Sequence, residues 1–161
     1  MDIEIGPFSS GDEAEIIEIS IRAWAPVFEE LEPAVPNYVF KAFYPDGWAA
    51  RQVSDIRKFL RDEGEKTFVA KAAGAIVGWV GLRLHPQDRM GEIYILAVDP
   101  GCQRKGVAAC LMERAKCEMR RAGMRIVMVE TGDDPGHAAS RATYENAGFR
   151  RWPVARYFRE L

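Results

Sequence analysis

The chain has 161 residues, 48% hydrophobic and 29% charged, with a formal net charge of −2. That size supports one domain, spanning 1–161, with a core of its own, and the composition is that of an ordinary soluble globular protein. The charge argues against nucleic acid as the main partner, and no apolar run approaches the roughly 20 residues of a membrane-spanning helix.

The opening Met1–Phe8 lacks the basic and apolar regions of a signal peptide, so a cytoplasmic location is expected. Cys102, Cys110 and Cys117 fit that expectation as free, buried or half-buried thiols. On a helix, Cys110 and Cys117 would stand about 10 Å apart along the axis, beyond the about 7 Å that a disulfide spans. No cysteine or histidine pair has metal-ligand spacing, so no metal is expected.

Ile3-Glu4-Ile5 alternates like a short strand. Ser9 to Asp12 offers helix caps before Ala14, Ile17, Ile21 and Trp24, which recur at helical spacing. From Pro26 to Trp48, four prolines among aromatics predict a broken region of loops and short helices. A second helix is expected over 49–61. Strands follow at 67–71, 76–84 and 91–98, the first two joined by the hairpin-like pause Ala72 to Ala75. A long amphipathic helix is expected over 104–121, with Val107, Ala108, Leu111, Met112, Ala115 and Met119 as its apolar stripe. Residues 125–131 read as a strand, 132–136 as a loop and 137–147 as a helix closed by Gly148. A last strand near 155–159 completes the order β-α-α-β-β-β-α-β-α-β. This is an α/β chain, for which a mixed central sheet flanked by helices is the natural arrangement.

The most informative segment runs from Ala97 to Ala108. A strand stops at Asp99-Pro100, and the basic, glycine-containing Gln103-Arg104-Lys105-Gly106 feeds a helix start. The first amides of a helix lack intrahelical partners, and its dipole draws anions to that end. Gly106 admits close approach to the backbone, Ala108 keeps the next turn slim, and Arg104 and Lys105 add positive charge. Such a turn is a seat for a diphosphate. Val107 after Gly106 excludes a Walker loop, and G-x-G-x-x-G is absent.

Gln103-x-x-Gly106-x-Ala108, preceded by Val98-Asp99-Pro100, resembles the acyl-CoA signature of the GCN5-related N-acetyltransferase (GNAT) superfamily. Ala138 to Phe149, ending Tyr144-Glu145-x-x-Gly148-Phe149, is similar to that family's second signature. The resemblance covers about the final three-fifths of the chain. It implies the GNAT fold, acetyl-CoA as co-substrate, and transfer of acetyl to a primary amine by direct attack. It also implies cofactor contacts from Leu96, Ala97, Val98, Gln103 to Ala108 (Val107 included), Ser140 and His137, the last standing where an asparagine is common. Tyr144 takes the position of the acid that protonates the departing thiolate, a task suited to a phenol. Glu92 matches the general base of the histone-acetylating branch; alternation places it on one strand face with Tyr94, Leu96 and Val98. His85, Glu130 and Asp133 are lesser candidates for the base. Family habit adds a homodimer.

The acceptor is read from the first half. Trp24, Phe28 and Trp48 stand among further aromatics, with Glu29, Glu30, Glu32 and Asp46 between them, and Asp133 joins from the second half. Rings over sugar faces and carboxylates for ammonium groups suit a small cationic amine, and resemblance to drug-acetylating relatives favours an aminoglycoside. A protein or peptide amino group, or a non-catalytic CoA-binding regulator, are the alternatives.

Overall fold

The computed structural model describes residues 1–161. A five-stranded sheet holds its strands in chain order: β1 (Glu4–Pro7), β2 (Thr67–Ala72), β3 (Ala75–His85), β4 (Met90–Val98) and β5 (Ile126–Val129). The first four pair antiparallel, and β5 lies parallel to β4. The sheet is mixed, as expected. A parallel pair needs a crossover, which is supplied by α4 (Val107–Arg121). Between β1 and β2 come α1 (Glu13–Ala34), α2 (Asn37–Phe43) and α3 (Trp48–Glu63); α5 (Ala138–Asn146) follows β5. No helix is long and apolar enough to cross a membrane.

The sheet is buried on both sides, which is why its strands read as near-continuous apolar runs. On one face, Val80, Leu82, Ile93 and Val98 pack against Val107, Leu111, Met112, Ala115 and Met119 of α4, so the predicted stripe is the buried one. On the other, Val69, Trp79 and Ala97 meet Ile16 and Ile19 of α1 and Ile56, Phe59 and Leu60 of α3. Trp79 is wholly buried, and its indole N–H donates to Ser20 Oγ at 2.8 Å. That hydroxyl donates in turn to the Ile16 carbonyl at 2.7 Å, so the core's largest side chain leaves no donor unpaired.

Three elements differ from expectation. First, α1 does not break at Pro26 but runs on to Ala34 with both Pro26 and Pro33 inside it. Its far half is held by packing: Phe28 is buried, stacked on Trp48 at 4.5 Å and edge-on to Tyr44 at 5.3 Å. That contact outweighs the lost backbone bond of a proline. Second, α4 begins at Val107, not Arg104, because Arg104 and Gly106 both adopt left-handed backbone. Third, the strand expected near 155–159 does not form: residues 149–161 take no regular structure, Arg156 donates to Glu130, Phe158 packs on Phe43, and Trp152, Val154 and Tyr157 stand exposed. Cys110, expected to be at least half-buried, is exposed; all three thiols are free.

Candidate active site

The feature that shapes the site is an irregularity in β4. Gly81 pairs with Ile95 but Leu82 with Ile93, leaving Tyr94 without a partner on β3. Such a bulge reverses the alternation of faces beyond it. Ile93, Leu96 and Val98 consequently all face α4, whereas Tyr94, Ile95 and Ala97 face α1 and α3. Glu92 lies on this second face, because its neighbour Gly91 faces Met119 of α4. Strict alternation fails here: Glu92 and Tyr94 share a face, but Leu96 and Val98 do not share it with them.

The strands also part at this point. β5 pairs with β4 only from Met90 to Ile93, while β4 continues to Val98. Its last five residues therefore have no strand neighbour on that side, and a cleft opens between β4 and β5. Backbone groups along such an edge are free to pair with an extended ligand. Leu96, Ala97 and Val98, named from the sequence, form this edge.

The cleft ends at the basic turn. Asp99 accepts from the Gly101 amide at 2.9 Å, and the Gln103 side chain donates to the Val98 carbonyl at 3.2 Å, tying the turn to the strand. Gly106, at φ +87, caps α4, and a Cβ built on it would meet nothing within 4 Å. The first amide to donate into the helix is that of Cys110, to the Gly106 carbonyl, so those of Val107, Ala108 and Ala109 are left for an outside acceptor. Lys105 donates to the Gly101 carbonyl at 2.8 Å, while Arg104 stands exposed at the mouth. The donors and the open space fit a diphosphate.

α1 walls this cleft. Arg22 donates to Asp99 Oδ2 at 2.7 Å, and that bond, with the Gly101 amide, holds the Asp99 carboxyl below its ordinary range against the opposing effect of burial. Further along, the Val27 carbonyl lies against Gly136, in the bend that leads into α5. His137, at the head of α5, pairs through Nδ1 with Asp134 Oδ2 at 2.6 Å; Asp134 Oδ1 is buried without a partner. Sequence reading missed Asp134, whose only signal was its place three residues before a histidine at a helix start. Ser140 lies one turn into α5 and is half-buried.

Tyr144 packs on the α4 side of the sheet, its ring edge-on to Phe149 with centroids 5.9 Å apart. Burial alone pushes its phenol up to about 12, so it stays protonated at neutral pH and has an O–H to donate. Glu92, across the sheet, is 14% exposed in its side chain and bonded to His85 Nε2 at 2.8 Å. Arg83, its direct partner on β3, turns away onto the Tyr94 ring, with its guanidinium carbon 3.4 Å from the ring centroid. Arg83 and Tyr94 also line a cavity of about 220 Å³ with Phe59 and charged residues of α3. Sequence reading named His85 only as a lesser candidate for the base and did not pair it with Glu92, and it did not name Arg83.

The residues named for the acceptor are dispersed. Phe28 is core, Trp48 stacks on it, and Trp24 packs on the α1–α3 cluster. Glu29 and Glu30 are exposed on α1. Asp133 is exposed and ion-paired with Arg151 at 2.5 Å and Arg141 at 3.9 Å.

The family model described as the acetyltransferase (GNAT) family matches residues 24–149. Among curated relatives, a mycothiol acetyltransferase of Beutenbergia cavernae is 39% identical over 83 residues, covering 51% of this chain and 26% of the relative. One from Stackebrandtia nassauensis is 27% identical over 150 residues, covering 89% of this chain and 48% of the relative. The chain thus spans about half or less of the length of these relatives. The fold is shared with Ard1 from Thermoplasma volcanium, at TM-score 0.69 and 20% identity, covering 93% of this chain and 84% of that one. It is shared too with an aminoglycoside N-acetyltransferase solved with CoA, at TM-score 0.64 and 15% identity, covering 99% and 95% of the two chains.

Proposed function

The chain belongs to the acetyltransferase (GNAT) family, and on that premise we propose that it transfers acetyl from acetyl-CoA to a primary amine. The observation that carries this reading is the left-handed bend at Arg104 and Gly106, with its unpaired amides, standing beyond the end of β4 whose last five residues run past β5. Val107, Ala108 and Ala109 would hold the diphosphate, assisted by Arg104 and Lys105. The free edge of β4 at Leu96 to Val98 would order the rest of the ligand and donate to the thioester carbonyl as charge develops on it.

Acetyl-CoA supplies the activated acetyl group. Glu92 takes a proton from the acceptor's ammonium group, whose freed lone pair attacks the carbonyl carbon directly. Tyr144 gives its proton to the departing thiolate, and the second proton shed by the acylated nitrogen returns to the phenolate. Charge is then neutralised on both sides of the bond exchange, and no cysteine nucleophile is involved. The two groups belong to opposite faces of the sheet, and on this reading they would meet across the open edge of β4 beyond Ile93.

For the acceptor, a small cationic amine of amino-sugar type is the reading supported by Glu29, Glu30 and Glu32, exposed along the helix that walls the cleft. The rings of Tyr44 and Trp48 stand at its far end. Aminoglycosides are the first members of that class to try. The test measures release of free CoA over a panel of aminoglycosides, simple amino sugars, polyamines and peptides. Turnover with aminated sugars is expected; turnover with peptides alone would move the acceptor to protein amino groups. Calorimetry showing no affinity for CoA would remove the reading altogether.

A further inference from the structure

We propose that His85 is a positioning residue for Glu92: it donates Nε2–H to Glu92 Oε2 and leaves Oε1 as the oxygen that receives the acceptor's proton. This deepens the acetyl-transfer reading and rests on it. The contact follows from the hairpin. His85 pairs with Met90 at the end of β3, so Glu92, two residues along β4, lies on its face of the sheet in diagonal contact. The separation of 2.8 Å is that of a well-formed hydrogen bond. Pro86 follows His85 and bars it from helical backbone, which keeps the ring on the strand's line.

Two further observations make this pair more than a surface contact. The Glu92 side chain is 14% exposed, so the cost of leaving one of its oxygens undirected is higher than at the surface. Arg83 would be the natural ion partner across the ladder, yet its guanidinium is stacked on Tyr94 and approaches Phe59 as well, at 5.6 Å. An arginine held on Glu92 would fix the carboxylate as a spectator charge. With Arg83 diverted, a histidine N–H orients the group and still permits it to take a proton. The balance is simple: the ammonium N–H bond breaks, the Glu92 Oε1–H bond forms, and that proton later leaves to water.

The experiment has two arms on the full chain. The chain contains two histidines, so nitrogen-15 spectra of the imidazole rings are assigned by a single substitution. At pH 8 the His85 ring is expected as the Nε2–H tautomer with a slowly exchanging proton, and Glu92→Ala should abolish that signature. An Nδ1–H tautomer, or a spectrum unchanged by Glu92→Ala, overturns the proposal without reference to any reaction. In the kinetic arm, His85→Leu should lower kcat by about 10-fold or more with KM for acetyl-CoA unchanged, and His85→Gln, which keeps an N–H donor, should recover to within about 3-fold of the parent. Equal kcat in His85→Leu and the parent overturns the proposal. Absence of turnover by the parent on every amine instead fells the acetyl-transfer reading, leaving the ring spectra to judge the contact itself.

Discussion

At the scale of single residues, Tyr144 carries the sharpest expectations. Tyr144→Phe retains the ring that packs on Phe149 and removes only the hydroxyl. Turnover should fall by about 100-fold, within the range for a lost general acid, while affinity for acetyl-CoA stays as it was. Unchanged turnover would take Tyr144 out of the acid role. The raised phenol also has a thermodynamic signature. A tyrosine ionises near 10 when unfolded but holds its proton up to about 12 here, so between those values only the unfolded chain loses the proton. Stability owed to this group is complete below pH 10 and drains away as pH rises towards 12, by about 1–2 kcal/mol once partial exposure is allowed for. Urea unfolding at pH 9 and pH 11.5 should show a smaller loss for Tyr144→Phe than for the parent. Tyr144 could be named beforehand because Tyr-Glu-x-x-Gly-Phe is a local pattern. His85 was harder, since its meaning depends on register across a turn.

Among the elements, the bend ahead of α4 is where the proposed ligand binding would depend on backbone conformation. Gly106→Ala places a Cβ in empty space, so its cost to folding is the left-handed backbone alone, about 1 kcal/mol. The same methyl group would stand where an anion must approach the amides. The expected result is a rise of about 10-fold in KM for acetyl-CoA with kcat little altered, read from initial rates at varied acetyl-CoA. A proportionate fall in kcat with KM preserved would place the bend outside the binding site. Sequence reading placed most strands and helices to within a few residues because their periodicities are local. It failed at α1, where two prolines argued for a break that the Phe28–Trp48–Tyr44 cluster overrides. It failed again at 155–159, where Tyr157 and Phe158 suggested a strand but Arg156 and Phe158 engage Glu130 and Phe43 through their side chains and no ladder forms.

Across the whole molecule, α1 is tied to the sheet and the turn beyond it by side-chain hydrogen bonds of Glu15, Ser20 and Arg22. Ser20 links α1 to Trp79 at the centre of the sheet. Ser20→Ala would leave a buried indole N–H without an acceptor, at a cost of about 1–3 kcal/mol, measurable as a lower urea midpoint with the slope unchanged. A midpoint equal to the parent's would mean that the indole finds another partner. The unpaired Tyr94 has a reach of the same order. Because of it, one strand serves two neighbourhoods, presenting an acid towards α1 and α3 at its start and seating aliphatic groups under α4 at its end. Excising that single amino acid would spare every atom of the anion turn yet exchange inside for outside along half the strand. The Glu92 carboxylate would then turn to the face on which Tyr144 already packs, leaving the α1 and α3 side without its acid.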